Sequence, residues 1–233
     1  MYNSTMVKIT NPYNYRELKR QSIDGKRLYE NPWGDPVPSV TTILDATKPA
    51  EKRKALANWK KRVGKEEAQR ITTTAANRGT VMHNILEHWA LGEYETYNPG
   101  NNIVHRQAKA MAKVVVDNIE NDIDEIWGTE VNLCAANLYA GTTDLVGMYK
   151  GKPTIMDFKQ TNKPKKREWI DDYFLQGAAY ANAHNEMFET KIENVAIFMC
   201  SGDCEWQLFE VDAEEFKTWE YKWAVRLFEY YDK

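Results

Sequence analysis

The stretch Gly141-Thr-Thr-Asp144-Leu-Val-Gly-Met-Tyr-Lys150-Gly151-Lys-Pro-Thr-Ile-Met-Asp157-Phe158-Lys159 decides how this chain folds and what chemistry it can hold. Lys150-Gly151 suits a two-residue turn, and opposed positions of such a hairpin sum to a constant. Residue 149 then faces 152, 146 faces 155, and Asp144 faces Asp157 on a closely spaced, non-hydrogen-bonded pair. Pro153 falls where the hairpin partner does not need its missing N–H. Neither face of the hairpin is otherwise polar: Val146, Met148 and Ile155 accompany the aspartates, while Leu145, Met156 and Phe158 point the other way. That is the pattern of strands buried on both faces. Lys159 lies two residues beyond Asp157, on the same face. Like charges opposed across strands destabilise a sheet, and buried carboxylates persist when paired or bound to a metal. Two acids with an amine beside them therefore read as a cation site, with Glu130 an acid just upstream. The plainer alternative leaves the aspartates as solvated strand ends.

The rest of the chain bounds that reading. With 233 residues, 42% hydrophobic and 12% aromatic content, it suits one folded domain with a sizeable core. No apolar run approaches the roughly 18–20 residues that span a bilayer, and no signal segment opens the chain, so the expectation is a cytoplasmic protein with no membrane partner. Cys134, Cys200 and Cys204 are too few for a metal framework, and the last two flank a candidate hairpin turn as reduced thiols. The net charge of −3 is unevenly spread: between Lys48 and Arg70 stand nine basic residues against three acids. A second basic run, Lys163-Pro-Lys165-Lys-Arg167, follows Lys159. Such runs commonly solvate a helix face, and they also let a protein of negative total charge bind a polyanion on one side.

Residues 1–40 read as irregular and strand-like, broken by Asn-Pro, Pro-Trp-Gly-Asp-Pro and Val-Pro. From Ser39 to Trp89 the period is helical, with Leu56, Trp59 and Val63 on one stripe and Val81, Ile85, Leu86 and Trp89 on the next. Another helix spans Ile103–Ile123. Strands follow over Ile126–Ala135, Leu138–Tyr149 and Pro153–Gln160, then a helix from Trp169 to Phe188 rich in small residues. Strands Asn194–Met199 and Glu205–Val211 precede a last helix capped by Asp212. The order predicts an α/β (α+β) fold with a central mixed sheet flanked by helices.

This order, with acids before and within the hairpin and Asp157-x-Lys159 at its end, resembles the PD-(D/E)XK nuclease superfamily. Arg78-Gly79-Thr-Val-Met-His83 is similar to the Gly-x-x-x-His helix of its RecB-like exonuclease branch, and Gln176-Gly-Ala-Ala-Tyr180 to that branch's Gln-x-x-x-Tyr helix. Within the branch the likeness is to the mitochondrial genome maintenance exonucleases and their phage relatives. It runs through Val40-Thr-Thr-Ile-Leu44 and Leu56-Ala-Asn-Trp59-Lys60-Lys61-Arg62 to the Trp- and Tyr-rich final helix, most of the chain beyond residue 40.

The resemblance implies a restriction-endonuclease-like core in a single nuclease domain over 1–233, with a mainly helical DNA-binding elaboration at 40–123 and the catalytic core at 124–233. It implies Mg²⁺ or Mn²⁺ held by Asp144, Asp157, the Phe158 carbonyl and His83, with Glu130 either a further ligand or a base acting through water. Lys159 would hold the attacking water, and Gln176 would orient substrate. DNA contacts would come from Trp59, Lys60, Lys61, Arg62, Arg78, Tyr180, Lys163 and Lys165. Some RecB relatives carry a four-cysteine iron–sulfur cluster; three cysteines lead us to expect none. The implied function is a metal-dependent exonuclease that prefers single-stranded DNA with free ends and leaves 5′-phosphates, working with replication or recombination proteins. A phage origin would put it in the host cytoplasm. A structure-specific endonuclease of the same superfamily and a non-catalytic nucleic-acid-binding protein are the rival readings.

Overall fold

A computed structural model describes residues 7–23 and 25–232, with Lys26 by its backbone. Strands β1 (Lys8–Ile9), β2 (Arg20–Ile23), β3 (Lys26–Asn31) and β4 (Gly34–Pro38) lead into helices α1 (Val40–Ala46), α2 (Ala50–Val63), α3 (Lys65–Ala90) and α4 (Ile103–Ile119). There follow β5 (Ile123–Ala135), β6 (Tyr139–Tyr149) and β7 (Lys152–Thr161), then α5 (Asp171–Phe188), β8 (Asn194–Ser201), β9 (Trp206–Val211) and α6 (Ala213–Tyr231).

The central sheet has the order β1-β5-β6-β7-β8-β9. It is mixed: β1 on β5 and β7 on β8 are parallel, and the other pairs are antiparallel. The parallel β7–β8 pair needs a crossover, which α5 supplies. As the alternation predicts, the two faces carry separate apolar clusters. Val146, Ile155 and Ile197 pack with α1, α5 and α6, whereas Leu145, Met156 and Phe158 pack with α3 and α4. Gly177 explains why α5 can lie so near the sheet: a Cβ there would stand 2.3 Å from Val195 Cγ1. Asp212 caps α6 through hydrogen bonds from the Glu214 and Glu215 amides.

The hairpin has the expected register from Tyr149↔Lys152 to Leu145↔Met156, turning through Lys150 and Gly151, both at positive φ. Beyond that pair the strands no longer bond to each other. β6 stays on β5 and β7 stays on β8, so the expected Asp144:Asp157 ladder pair is replaced by a fork.

Two features differ from the sequence reading. The irregular N-terminal stretch forms a three-stranded antiparallel sheet, β2-β3-β4, and lends β1 to the main sheet. In addition, the helical run from Ser39 to Trp89 is three helices. α2 ends at Gly64, whose φ of 86° favours glycine, and α2 buries none of its residues. Leu56, read as part of an apolar stripe, is 45% exposed.

Candidate active site

The fork between β6 and β7 builds the site. Asp144 sits at its mouth, and its Oδ2 accepts a 2.6 Å hydrogen bond from the Phe158 amide, a donor that strand pairing would otherwise use. On the other side of β6, the pairs Thr129↔Leu145 and Val131↔Thr143 bracket Glu130 opposite Asp144. Glu130 has a φ of 48°, a left-handed conformation that a non-glycine residue in a strand adopts only under constraint. Glu130, Asp144 and Asp157 thus lie in one row across three adjacent strands.

Helix α3 brings the histidine. Gly79 faces β7 so closely that a Cβ would stand 3.2 Å from Gln160 Cγ, and His83, one turn on, shares that face. Its Nδ1 lies 3.2 Å from Asp144 Oδ1. Arg78 locks this approach from within. It is 5% exposed, and its guanidinium donates to Gln160 Oε1 at 2.7 and 3.0 Å, to Asn162 Oδ1 and to Gln107 Oε1. Arg78 was expected to contact DNA; here it is buried and its guanidinium is engaged in these bonds.

Helix α5 closes the opposite side. The Lys159 ammonium pairs with Asp157 Oδ2 and lies 5.0 Å from the centre of the Tyr173 ring. Gln176 Nε2 donates to Tyr180 Oη at 3.0 Å. The Tyr180 ring fills the space above Gly141, where a Cβ would come within 2.6 Å. Tyr180 was expected at the DNA surface but is buried, with its hydroxyl bonded to Gln176. Lys60, Lys61 and Arg62 are exposed on α2 with Trp59 half-buried beside them, while Lys163 is exposed and Lys165 half-buried in the loop after β7.

The electrostatics follow from burial and proximity. Asp157 is 3% exposed; burial, with Asp144 adding repulsion against the attraction of Lys159, raises its pKa to about 6. Burial also acts on Asp144, but His83, Lys159 and the Phe158 amide overcome it and hold that carboxyl below its usual range. His83 and Lys159 are both pushed above their ordinary values: burial opposes their charge, and the aspartates outweigh it. The Glu130 residue is exposed, yet its carboxylate turns inward, and desolvation followed by repulsion from Asp144 and Glu87 raises it to about 7.

A divalent cation fits these residues. One ligand atom each from His83, Glu130 and Asp144 lie within 4.8 Å of one another. Asp157 Oδ2, though touched by Lys159, is shut off from solvent and accepts no well-directed hydrogen bond. Carboxylate oxygens with one imidazole suit Mg²⁺ or Mn²⁺, manganese tolerating the nitrogen better. Sequence reasoning missed Tyr173, whose role beside Lys159 depends on the crossover of α5. Among the described residues, no helix is long and apolar enough to cross a membrane.

No family model matches the chain. It is similar to Mitochondrial genome maintenance exonuclease 1 of Mus musculus, with 29% identity over 211 residues, covering 84% of this chain and 60% of that protein. The Homo sapiens protein of the same name is 25% identical over 212 residues, covering 84% and 59%. That of Xenopus tropicalis is 28% identical over 211 residues, covering 84% and 58%. A solved structure of a provisionally assigned exonuclease from Eubacterium rectale superposes at a TM-score of 0.44 and 12% identity, over 66% of this chain and 68% of that one, too distant to carry weight. The chain thus spans about 60% of the length of the mouse relative, and its likeness is to proteins named as exonucleases.

Proposed function

We propose that the chain is a divalent-metal-dependent DNA exonuclease of the PD-(D/E)XK type, RecB-like branch, hydrolysing phosphodiester bonds of single-stranded DNA from free ends. The observation that carries the reading is the row Glu130–Asp144–Asp157 across three strands, with Lys159 at one end and His83 above it. Its likeness to proteins named as mitochondrial genome maintenance exonucleases supports the same reading.

Asp144, Asp157, His83 and the Phe158 carbonyl are the proposed ligands. A bound Mg²⁺ or Mn²⁺ supplies positive charge at the scissile phosphate and acidifies water there. Lys159, kept charged by two aspartates, orients the attacking water and offsets charge developing on the phosphate oxygens. Glu130 Oε, opposite Asp144 across β5 and β6, accepts the proton that water gives up. The leaving 3′-oxygen takes up a proton from solvent, so the product keeps a 5′-phosphate. Gln176, tethered by Tyr180, orients the substrate. Lys60, Lys61 and Arg62, with Lys163 and Lys165, hold the strand's backbone, and Trp59 offers a stacking surface. The proposed setting is DNA replication, recombination or repair in the cytoplasm, beside replication or recombination proteins.

Linear and circular single strands, and linear duplex, incubated with Mg²⁺ test the reading. An exonuclease of this kind degrades linear single strands fastest and spares circles. Rapid nicking of circles would instead favour an endonuclease on the same core.

A further inference from the structure

A cleft that none of the roles above uses opens beside Glu130. It lies between residues 9–17, the end of α3 and β5, and measures about 460 Å³, inside the usual range of small-molecule sites. Its floor is apolar, made by Ile9, Leu91 and Ile126, and Glu130 lines it at the end next to the cation ligands. Tyr13 and Tyr15 form one wall. That wall is preorganised: the Tyr13 ring centre lies 5.0 Å from that of His184 and 5.6 Å from that of Trp127. Tyr15 Oη is in turn hydrogen-bonded with His184 Nε2 at 2.9 Å.

The polar groups of the cleft are largely unspent. Asn11, Asn14 and Arg16 are exposed, and their side chains make no hydrogen bond or ion pair among the described residues. Thr129 Oγ1 is buried without a partner. Glu17 lines the same rim and opposes a second anionic group there. An aromatic wall, an apolar floor, free amides and a single unpaired cation match a base and sugar better than a bare anion or a polyphosphate.

We infer that this cleft binds the nucleoside whose 5′-oxygen carries the scissile phosphate, and so has affinity for a free nucleoside 5′-monophosphate. The inference rests on the nuclease reading for the position of the phosphate. The base lies against Tyr13 and Tyr15, the amides of Asn11 and Asn14 meet base edge and sugar, and Arg16 reaches the adjoining backbone phosphate.

Calorimetric titration of the full chain in Mn²⁺, with deoxyadenosine 5′-monophosphate and separately with inorganic phosphate, tests this. The nucleotide is expected to bind about tenfold or more tightly than phosphate, the return from stacking one base. Asn11→Ala and Asn14→Ala, both at exposed positions, should each shrink that preference. Equal affinity for the two probes, or a preference untouched in both variants, overturns the inference. Because binding is read without turnover, a chain that cleaves DNA yet binds both probes equally refutes the cleft alone. One that prefers the nucleotide but cleaves no DNA upholds the cleft and refutes the nuclease reading.

Discussion

The β7 strand buries every residue from Thr154 to Phe158, whereas α2, with 14 residues, buries none. In the first region, charge is enclosed. Asp144, Asp157, His83 and Lys159 lie together within a fork of the sheet, and each shifts the protonation of its neighbours. In the second, charge is displayed. Helix α2 is tethered near its base, where Arg53 donates to the Ala46 and Lys48 carbonyls and Lys52 lies 3.7 Å from Asp172. Its distal lysines face water. Chemistry needs atoms fixed to a fraction of an ångström, which a packed sheet provides. Holding a polyanion needs only charge within reach, which a lightly packed helix provides at little cost to the fold.

Substitutions in the two regions should therefore fail in different ways. Lys159→Ala should lower the cleavage rate by about 10²–10³-fold while DNA binding, read by filter retention, stays near wild type. A parallel loss of binding would erase the distinction. Arg78 sharpens the comparison, since it is a basic residue of the helical region that belongs with the enclosed set. Arg78→Ala leaves the Gln160 and Asn162 acceptors without their donor and should cost about 3 kcal/mol in urea unfolding. Unchanged stability with weakened DNA binding would return Arg78 to the surface set.

The combined variant Lys60→Ala, Lys61→Ala, Arg62→Ala should behave in the opposite sense. Stability should stay within about 0.5 kcal/mol, while affinity for single-stranded DNA falls. The slope of log affinity against log salt should shrink by roughly 2, about 0.7 for each phosphate charge left without its basic partner. A salt slope equal to wild type would remove α2 from the binding surface.

The smallest expected effect is on pH dependence. Glu130 is raised from 4.5 to about 7, so the stability its proton lends is present at low pH and lost as pH rises through that value. His83, also raised, acts in the same direction. His184, lowered to about 4 by burial, acts oppositely only below its ordinary 6.5. Above about pH 6.5, the melting temperature of the metal-free protein should therefore fall as pH rises, and Mn²⁺ should restore more stability at pH 8 than at 6.5. A flat profile in scanning calorimetry would break the link between the acids and the cation.

Much of this was legible in the chain. The Lys150-Gly151 turn and the alternation from Leu145 to Phe158 gave the hairpin register and both buried faces, because strand period and turn length leave little freedom. The fork was not legible, since it arises when β7 bonds to β8, a long-range pairing no local pattern encodes. The same limit applies to Glu130 facing Asp144, which depends on register shifts near Glu125 and Gly128. Arg78 and Tyr180 looked like surface residues because a motif gives spacing, not burial. The β2-β3-β4 sheet was hidden by prolines at Pro32, Pro36 and Pro38, which here stand in a turn and an edge strand.

The most direct test is cleavage of end-labelled linear single-stranded DNA by the wild type and by Asp157→Asn, each with Mg²⁺ and with a chelator. The account predicts degradation by the wild type in Mg²⁺ alone, and none by the variant although it still binds the strand. Cleavage that survives the chelator, or that persists in Asp157→Asn, would contradict it.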